Sequence, residues 1–414
     1  MIKYFSVKNF SSIKEESILA FDSNLENNSS YPAHPVIGFM GANASGKTTI
    51  LNAITFTLWF MQTSFFAIKE DEDIPIEPFC TTKDEPTSFD IIFVTNSGAE
   101  YEYELSVTTQ KVIAEKLYKF DTQINEFVLV YQREDKAITI NFPMQQIQSN
   151  DLRNNASIIS YAAQFESQSI AKEAKNYKFF SNVRYSGYQD IKYTPRILAK
   201  FLEDEETYLR AKELLKIADI GIEDFETKEK EAEEVSEILE KILQDKELAK
   251  NFSPNELKKI AKAQKENNLS IIEKAVFKHK IDSQLVDFGD EKESLGTLRF
   301  TVVMYLILRS LKEGSLLIFD EIEMQLQQDI VAHLISLYQN PFENPNKAQL
   351  LFTSHNSSLL TVLLPEQFWM SEKNDEGHTS LFSAADFEDI EDIHKKDMEK
   401  LYRFGRLGAK PRLL

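Results

Sequence analysis

Cysteine is nearly missing from this chain: Cys80 is the single example in 414 residues. An intramolecular disulfide is therefore excluded, as is a metal site built of several thiolates, and a cytoplasmic setting is the expectation. Long apolar runs are lacking too. The best candidate, Ile50 to Met61, is broken by Asn52, Thr55 and Thr57 and is too short to cross a bilayer, and the N-terminus carries no signal pattern. No membrane association is expected. Positive charge is in deficit, with 47 basic against 66 acidic residues and a net charge of −19. That balance disfavours a surface devoted to nucleic acid and favours protein partners. The exception is the C-terminal tail, where Lys400, Arg403, Arg406, Lys410 and Arg412 follow Glu399 with no further acid.

Glycine is scarce as well, only 12 residues, yet Gly38, Gly41 and Gly46 fall close together. They lie in Val36-Ile37-Gly38-Phe39-Met40-Gly41-Ala42-Asn43-Ala44-Ser45-Gly46-Lys47-Thr48-Thr49, a strand-like run that enters the phosphate-loop pattern G-x-x-x-x-G-K-[S/T] (Walker A). Glycine is needed where backbone curls around phosphate without a Cβ in the way. The pattern assigns the phosphates to the loop from Gly41 through Asn43, Ala44, Ser45 and Gly46 and to the following helix N-terminus. Lys47 reaches the β- and γ-phosphates, Thr48 ligates Mg²⁺, and Thr49 begins a helix read as running to Met61. The ligand class is a nucleoside triphosphate.

Three further segments follow in a telling order. Glu293-Ser294-Leu295-Gly296-Thr297-Leu298-Arg299 precedes an apolar helix; Ser294, Gly296 and Thr297 suit a second anion site, although a plain helix cap is also open to them. Ser315-Leu316-Leu317-Ile318-Phe319-Asp320-Glu321 is an apolar strand ending in paired carboxylates (Walker B). Asp320 there serves Mg²⁺ through water, and Glu321 orients and deprotonates the attacking water. Gln349-Leu350-Leu351-Phe352-Thr353-Ser354-His355 is a third apolar strand, and His355 at its end is placed to sense the γ-phosphate. The glutamate after Asp320, and the lack of an Asn-Lys-x-Asp base reader, favour ATP over GTP.

This order resembles the ATP-binding-cassette ATPases, specifically their soluble SMC and RecF branch. The opening Ile2 to Phe10, the segment Leu215 to Ile222 and the terminal Glu399 to Pro411 resemble the prokaryotic "AAA ATPase" group that includes RloA, AbiLi and the PARIS subunit AriA. The resemblance implies an ABC-type α/β fold with a mixed sheet core, an antiparallel β subdomain and a helical insertion. It implies ATP and Mg²⁺ as ligands, and Ser294, Gly296 and Thr297 acting in trans on ATP held by another protomer, so that hydrolysis needs a dimer or larger ring. It also implies an anti-phage setting in which ATP controls a partner nuclease encoded nearby. Two alternatives remain: a DNA-repair or recombination ATPase, and the soluble motor of a transporter, which would lack a full LSGGQ-type signature here. Relatives usually follow Walker B with leucine-histidine-proline, whereas this chain has Leu326-Gln327-Gln328. Glu323 reads as a solvated acid at a helix start. The glutamine that couples γ-phosphate to the helical lobe is assigned to Gln164, with Gln146 and Gln168 as rivals.

Organisation follows from pattern. Residues 1–170 form a first ATPase lobe with Walker A and an antiparallel part; 171–272 a helical insertion; 273–414 a second lobe with signature, Walker B, switch histidine and tail. Residues 1–60 and 273–365 are expected to interleave in one mixed sheet, and 90–145 to alternate as antiparallel strands, as in Tyr101-Glu102-Tyr103-Glu104-Leu105-Ser106-Val107. Residues 62–90, with Pro75, Pro78 and Pro86, read as irregular. Leu198, Phe201, Leu209 and Leu215 make one helical stripe, and Val235, Ile238, Leu239, Ile242 and Leu243 another. No heptad run persists for an extended coiled coil.

Overall fold

The computed structural model describes residues 1–21, 31–141, 152–165, 169–181, 194–218, 221–229, 240–241, 243–245, 272–324, 326–387, 390 and 392–409. The chain divides into two compact units, one of residues 1–189 with 309–414 and one of residues 190–308.

In the first unit, β1 (Ile2–Lys8) and β2 (Ser17–Ala20) join β4 (Thr87–Val94), β5 (Glu100–Val107), β6 (Val112–Asp121), β7 (Glu126–Glu134) and β8 (Ala137–Ile140). These seven form an antiparallel sheet in the order β2-β1-β4-β5-β6-β7-β8. Alternation decides which face is inside: Tyr101, Tyr103, Leu105 and Val107 of β5 are buried, while Glu100, Glu102, Glu104 and Ser106 occupy the other, half-exposed face. The second sheet takes β3 (Val36–Gly41), β9 (Phe179–Ser181), β13 (Leu316–Phe319), β14 (Gln349–Thr353), β15 (Phe368–Lys373) and β16 (Thr379–Ser383). Its order is β16-β15-β3-β14-β13-β9, parallel throughout except for the edge strand β16. Every residue of β3, β13 and β14 is buried. Such continuous apolar runs suit a sheet covered on both faces.

Two expectations about these sheets change. The first strand does not join Walker A in one sheet; its lysines and serine among Ile2, Phe5 and Val7 give it one polar face, and it pairs antiparallel with β4. Residues 272–289 likewise belong to the other unit, while the parallel sheet draws in β15 and β16 from beyond residue 365.

The helix after the phosphate loop runs Lys47–Ala67, six residues past Met61. Its polar last turns are held from within the unit: Gln62 Nε2 donates to Tyr177 O at 2.6 Å and Thr63 Oγ1 to Trp59 O at 2.7 Å, while Ser64 Oγ accepts from Ser157 N at 2.9 Å. This helix is long and apolar enough to cross a membrane by length and composition only, and 67% of its apolar window is buried inside the unit, as in the core helix of a globular protein. Ile50, Leu51, Ile54, Phe56, Leu58, Phe60 and Met61 are fully buried in one core with residues of both sheets. Each such side chain contributes about 1.5–3 kcal/mol by leaving water. The irregular stretch before β4 is pinned by Asn9, whose amide donates to Thr82 O and Glu85 O and accepts from Phe79 N and Thr82 Oγ1.

The second unit contains the helices Thr194–Leu202 and Glu205–Ile217 and a three-stranded antiparallel sheet of β10 (Ile222–Glu229), β11 (Ile272–Ile281) and β12 (Gln284–Gly289). The helical pattern read for 171–272 is therefore interrupted after Ile217, where a strand follows, and residues 240–241 and 243–244 are helical again. Leu198, Phe201 and Leu215 are buried as expected of a stripe, but Leu209 is 54% exposed. Ala211 and Leu214 are buried instead, so the inward face is turned from the one read. Val235, Ile238, Leu239 and Ile242 lie outside the described residues.

Candidate nucleotide site

The C-terminal ends of three adjacent strands converge. β3 delivers the loop Ala42–Gly46, β14 beside it delivers Ser354 and His355, and β13 next in order delivers Asp320 and Glu321. Ala44 and Gly46 have positive φ, 60° and 110°. A Cβ on Gly46 would overlap the Thr379 side chain, and one on Gly41 the Ser371 carbonyl, so both positions need glycine for close approach as well as for conformation. The loop is braced from β15 and β16: Ser45 Oγ lies 2.6 Å from Ser371 Oγ, and Thr379 Oγ1 donates to Ser45 O at 2.9 Å.

Lys47 is the first residue of the helix and is buried, its ammonium donating to Gly41 O at 2.9 Å and Ala42 O at 3.0 Å. Burial lowers its pKa, and Asp320, Glu321 and Glu323 pull against that shift. Thr48 Oγ1 donates to both oxygens of Asp320, at 3.1 and 3.0 Å. Thr353 Oγ1 donates to Asp320 Oδ1 at 2.6 Å and accepts the N–H of Glu321 at 2.8 Å. One hydroxyl thus sets both carboxylates. Glu321 adopts φ 52°, a left-handed conformation that costs a side-chain-bearing residue on the order of 1–3 kcal/mol and is held by that hydrogen bond. His355 Nε2 lies 3.8 Å from Glu321 Oε1.

Thr48 and Asp320 offer a hydroxyl and a carboxylate at one point. That oxygen donor set fits Mg²⁺, which takes one or two protein ligands and completes its shell with water and phosphate.

A cavity of about 830 Å³ opens on this edge, lined by Asn43 through Thr49, Asp320, Glu321 and His355, and also by Ser11, Ser12 and Lys373. Gly41 is not on the lining; its carbonyl holds Lys47. Gln164 sits in the turn after the helix Ile158–Ala162, exposed, and does not line the cavity. Gln146 and Gln168 lie outside the described residues. Ser294, Gly296 and Thr297 belong to the second unit, where Ser294 Oγ accepts from Thr297 N at 3.0 Å and so caps the helix Leu295–Glu313. Ser294 is nevertheless exposed.

Glu323 departs from its reading as a solvated acid. Its Oε1 accepts the N–H of His355 at 2.6 Å, and its Oε2 is buried, so it ties the turn after β13 to the turn after β14. Sequence spacing held no sign of this, because the two turns meet only through the sheet. Gln328, the second of the two glutamines after Leu326, accepts from Ser358 Oγ at 3.0 Å and steadies the segment after His355. Thr353 was legible only as part of a strand, although a hydroxyl ending an apolar strand beside two carboxylates was a usable signal.

A family model described as "AAA domain, putative AbiEii toxin, Type IV TA system" matches residues 36–361. No curated protein matches the chain. Among solved structures, the SMC head domain from Thermotoga maritima is 12% identical, covering 92% of this chain and 98% of its own, with a TM-score of 0.41. The Smc head domain with an extended coiled coil bound to the C-terminal domain of ScpA, from Pyrococcus furiosus, is 12% identical with 98% of each chain covered and a TM-score of 0.41. The recombination mediator protein RecF is 13% identical, covering 92% of this chain and 98% of its own, with a TM-score of 0.36.

Proposed function

This chain belongs to the AbiEii-type AAA domain family, and from that premise we propose that it is an ATP-hydrolysing switch subunit of an anti-phage defence complex. The observation that carries the reading is the meeting of Lys47, Thr48, Asp320, Glu321 and His355 on one cavity. Backbone N–H groups of the loop and Lys47 bind the β- and γ-phosphates. Thr48 and Asp320 would hold Mg²⁺, whose charge would neutralise the phosphates. Glu321 Oε1 accepts the proton of the attacking water, and His355, 3.8 Å from that oxygen, contacts the γ-phosphate and reports its presence.

The signature residues Ser294, Gly296 and Thr297 complete the site in trans, so ATP is sandwiched between protomers and turnover requires a dimer or larger assembly. Residues 1–170 and 273–414 act as the two ATPase lobes around the insertion 171–272. The family's description, a putative AbiEii toxin of a type IV TA system, supports a defence setting. ATP-driven closure then holds or releases a nuclease partner in the cytoplasm, and hydrolysis resets the assembly. The net charge of −19 supports a protein partner over nucleic acid.

The test is ATP turnover and particle mass of wild type beside Glu321→Gln, with and without duplex DNA and the product of the neighbouring gene. Turnover indifferent to DNA, together with an ATP-dependent assembly that retains the neighbour, is expected. Strong DNA stimulation with mass transfer onto DNA would replace this reading by a repair ATPase.

A further inference from the structure

Two cations line the cavity, and the motifs account for only one of them. The other is Lys373, the last residue of β15, which lies across β3 from β14 and β13. Metal and catalytic carboxylates therefore stand on one flank of the phosphate loop and Lys373 on the other. Its side chain is exposed, and among the described residues nothing pairs with its ammonium.

The backbone that carries Lys373 is tightly set. Side chains alternate along a strand, so Ser371 and Lys373 share a face, and Ser371 Oγ meets Ser45 Oγ of the phosphate loop at 2.6 Å. Thr379 stands directly opposite Lys373 in the β15–β16 register. Its Oγ1 donates to Ser45 O at 2.9 Å and lies 2.8 Å from Ser12 Oγ, which in turn lies 3.1 Å from Thr49 Oγ1 at the start of the helix. Glu372, on the opposite face, accepts from Ala409 N at 3.0 Å. The strand end is thus tied to the loop by two neighbours of Lys373, and the four-carbon stem is left to reach into the cavity.

We propose that Lys373 is a second phosphate-binding cation of this site, contacting the α- and β-phosphate oxygens on the nucleoside flank of a bound nucleoside di- or triphosphate, with Ser12 on the same flank. The inference rests on the nucleotide reading above and adds an asymmetry to it. Thr48 and Asp320 mark where the metal and the terminal phosphate sit, on the β13 side. The phosphates nearer the nucleoside then run toward β15, where Thr49, Ser12 and Lys373 are the polar groups available. Phosphate oxygens shared by ADP and ATP are what this lysine meets, so it contributes affinity for both and does not distinguish them.

The experiment is equilibrium titration of ATP and of ADP into wild type, Lys373→Gln, Lys373→Arg and, as a control, Lys47→Ala, at low and high salt. In Lys373→Gln the Kd for both nucleotides is expected to rise roughly tenfold at low salt, the size of one charge-assisted hydrogen bond. Lys373→Arg restores most of it, and the difference shrinks in high salt. Unchanged affinity in Lys373→Gln overturns the proposal. So does a loss confined to ATP, which would put the ammonium at the γ-phosphate, or an arginine variant as weak as glutamine. If wild type and Lys47→Ala bind neither nucleotide, the nucleotide reading itself fails, and that outcome is distinct from equal binding by wild type and Lys373→Gln.

Discussion

Carboxylates crowd two places in the first unit, the C-terminal edge of the parallel sheet and the half-exposed face of the antiparallel one. At the first, Asp320 receives hydrogen bonds from Thr48 and Thr353, Glu323 receives the N–H of His355, and Lys47 lies close by. At the second, Asp90 of β4 stands directly opposite Glu104 of β5, a like-charge cross-strand pair. Burial first, and then Glu102, Glu104 and Glu16, push the Asp90 carboxyl up to about 7. Its Oδ1 is buried with no hydrogen-bond partner. The two aspartates thus differ in their donors: Asp320 accepts from two side-chain hydroxyls, whereas Asp90 has a backbone N–H and one buried oxygen with no partner. Side-chain hydroxyls placed at strand ends make the difference, and only the first arrangement is ready for a cation.

The comparison is broken most severely at the parallel-sheet edge. Glu321→Gln keeps the shape and hydrogen bonds of the turn but removes the proton acceptor, and ATP turnover is expected to fall by about 10²–10⁴ while ATP binding persists. Lys47→Ala loses nucleotide binding itself, read as a rise in Kd. Equal turnover and affinity across wild type and both variants would sink the assignment of the site.

The buried face of the antiparallel sheet offers a sharper contrast with Asp90. Glu115 is fully buried yet accepts from Tyr103, Tyr131 and Ser157 hydroxyls at 3.0, 2.8 and 2.7 Å and from Ile158 N at 3.0 Å. Glu115→Gln sets an amide donor against that ring of donors and should cost on the order of 2–4 kcal/mol in denaturant unfolding. A loss within error of zero would show that the network contributes nothing.

Glu323→Gln weakens the clasp on His355 without touching the metal or the base. Turnover should fall by roughly tenfold, about 1.4 kcal/mol, with ATP affinity preserved. A wild-type rate would make Glu323 a bystander.

The smallest effect belongs to Asp90. A carboxyl whose folded pKa is raised stays protonated in the fold, so its stabilising contribution is complete below the unfolded value near 4 and is lost as pH rises through about 7. Wild type should therefore lose stability across that window, and Asp90→Asn should not. The difference at pH 8, discounted for partial exposure, is on the order of 1 kcal/mol in favour of the variant. Parallel stability curves for the two proteins would contradict the argument.

Legibility followed how local each interaction was. The loop from Gly41 to Thr49 is shaped by its own backbone and adjacent side chains, so its spacing carried the geometry with it. Asp320, Glu321 and His355 were readable because an apolar strand aims the residue at its end. Glu323, Ser12 and Lys373 were not, because each acts across a gap closed only by strand order, in which β14 lies between β3 and β13 while β15 flanks β3 on its other side. The helical stripe failed at Leu209 for the same reason, since its inward direction depends on what packs against it.

By itself, then, the chain determined its ligand class, the strands that present the loop and carboxylates, and an antiparallel sheet legible in the alternation of β5. Those properties depend on backbone conformation and on period-two or continuous burial, which neighbouring residues impose. Tertiary structure alone decided that the first strand leaves the Walker A sheet, that a strand follows the helix Glu205–Ile217, and that Thr353, Glu323 and Lys373 face the same edge as Lys47. Hydrogen bonds between distant strands make those choices, and no local pattern of residues encodes which strands will become neighbours.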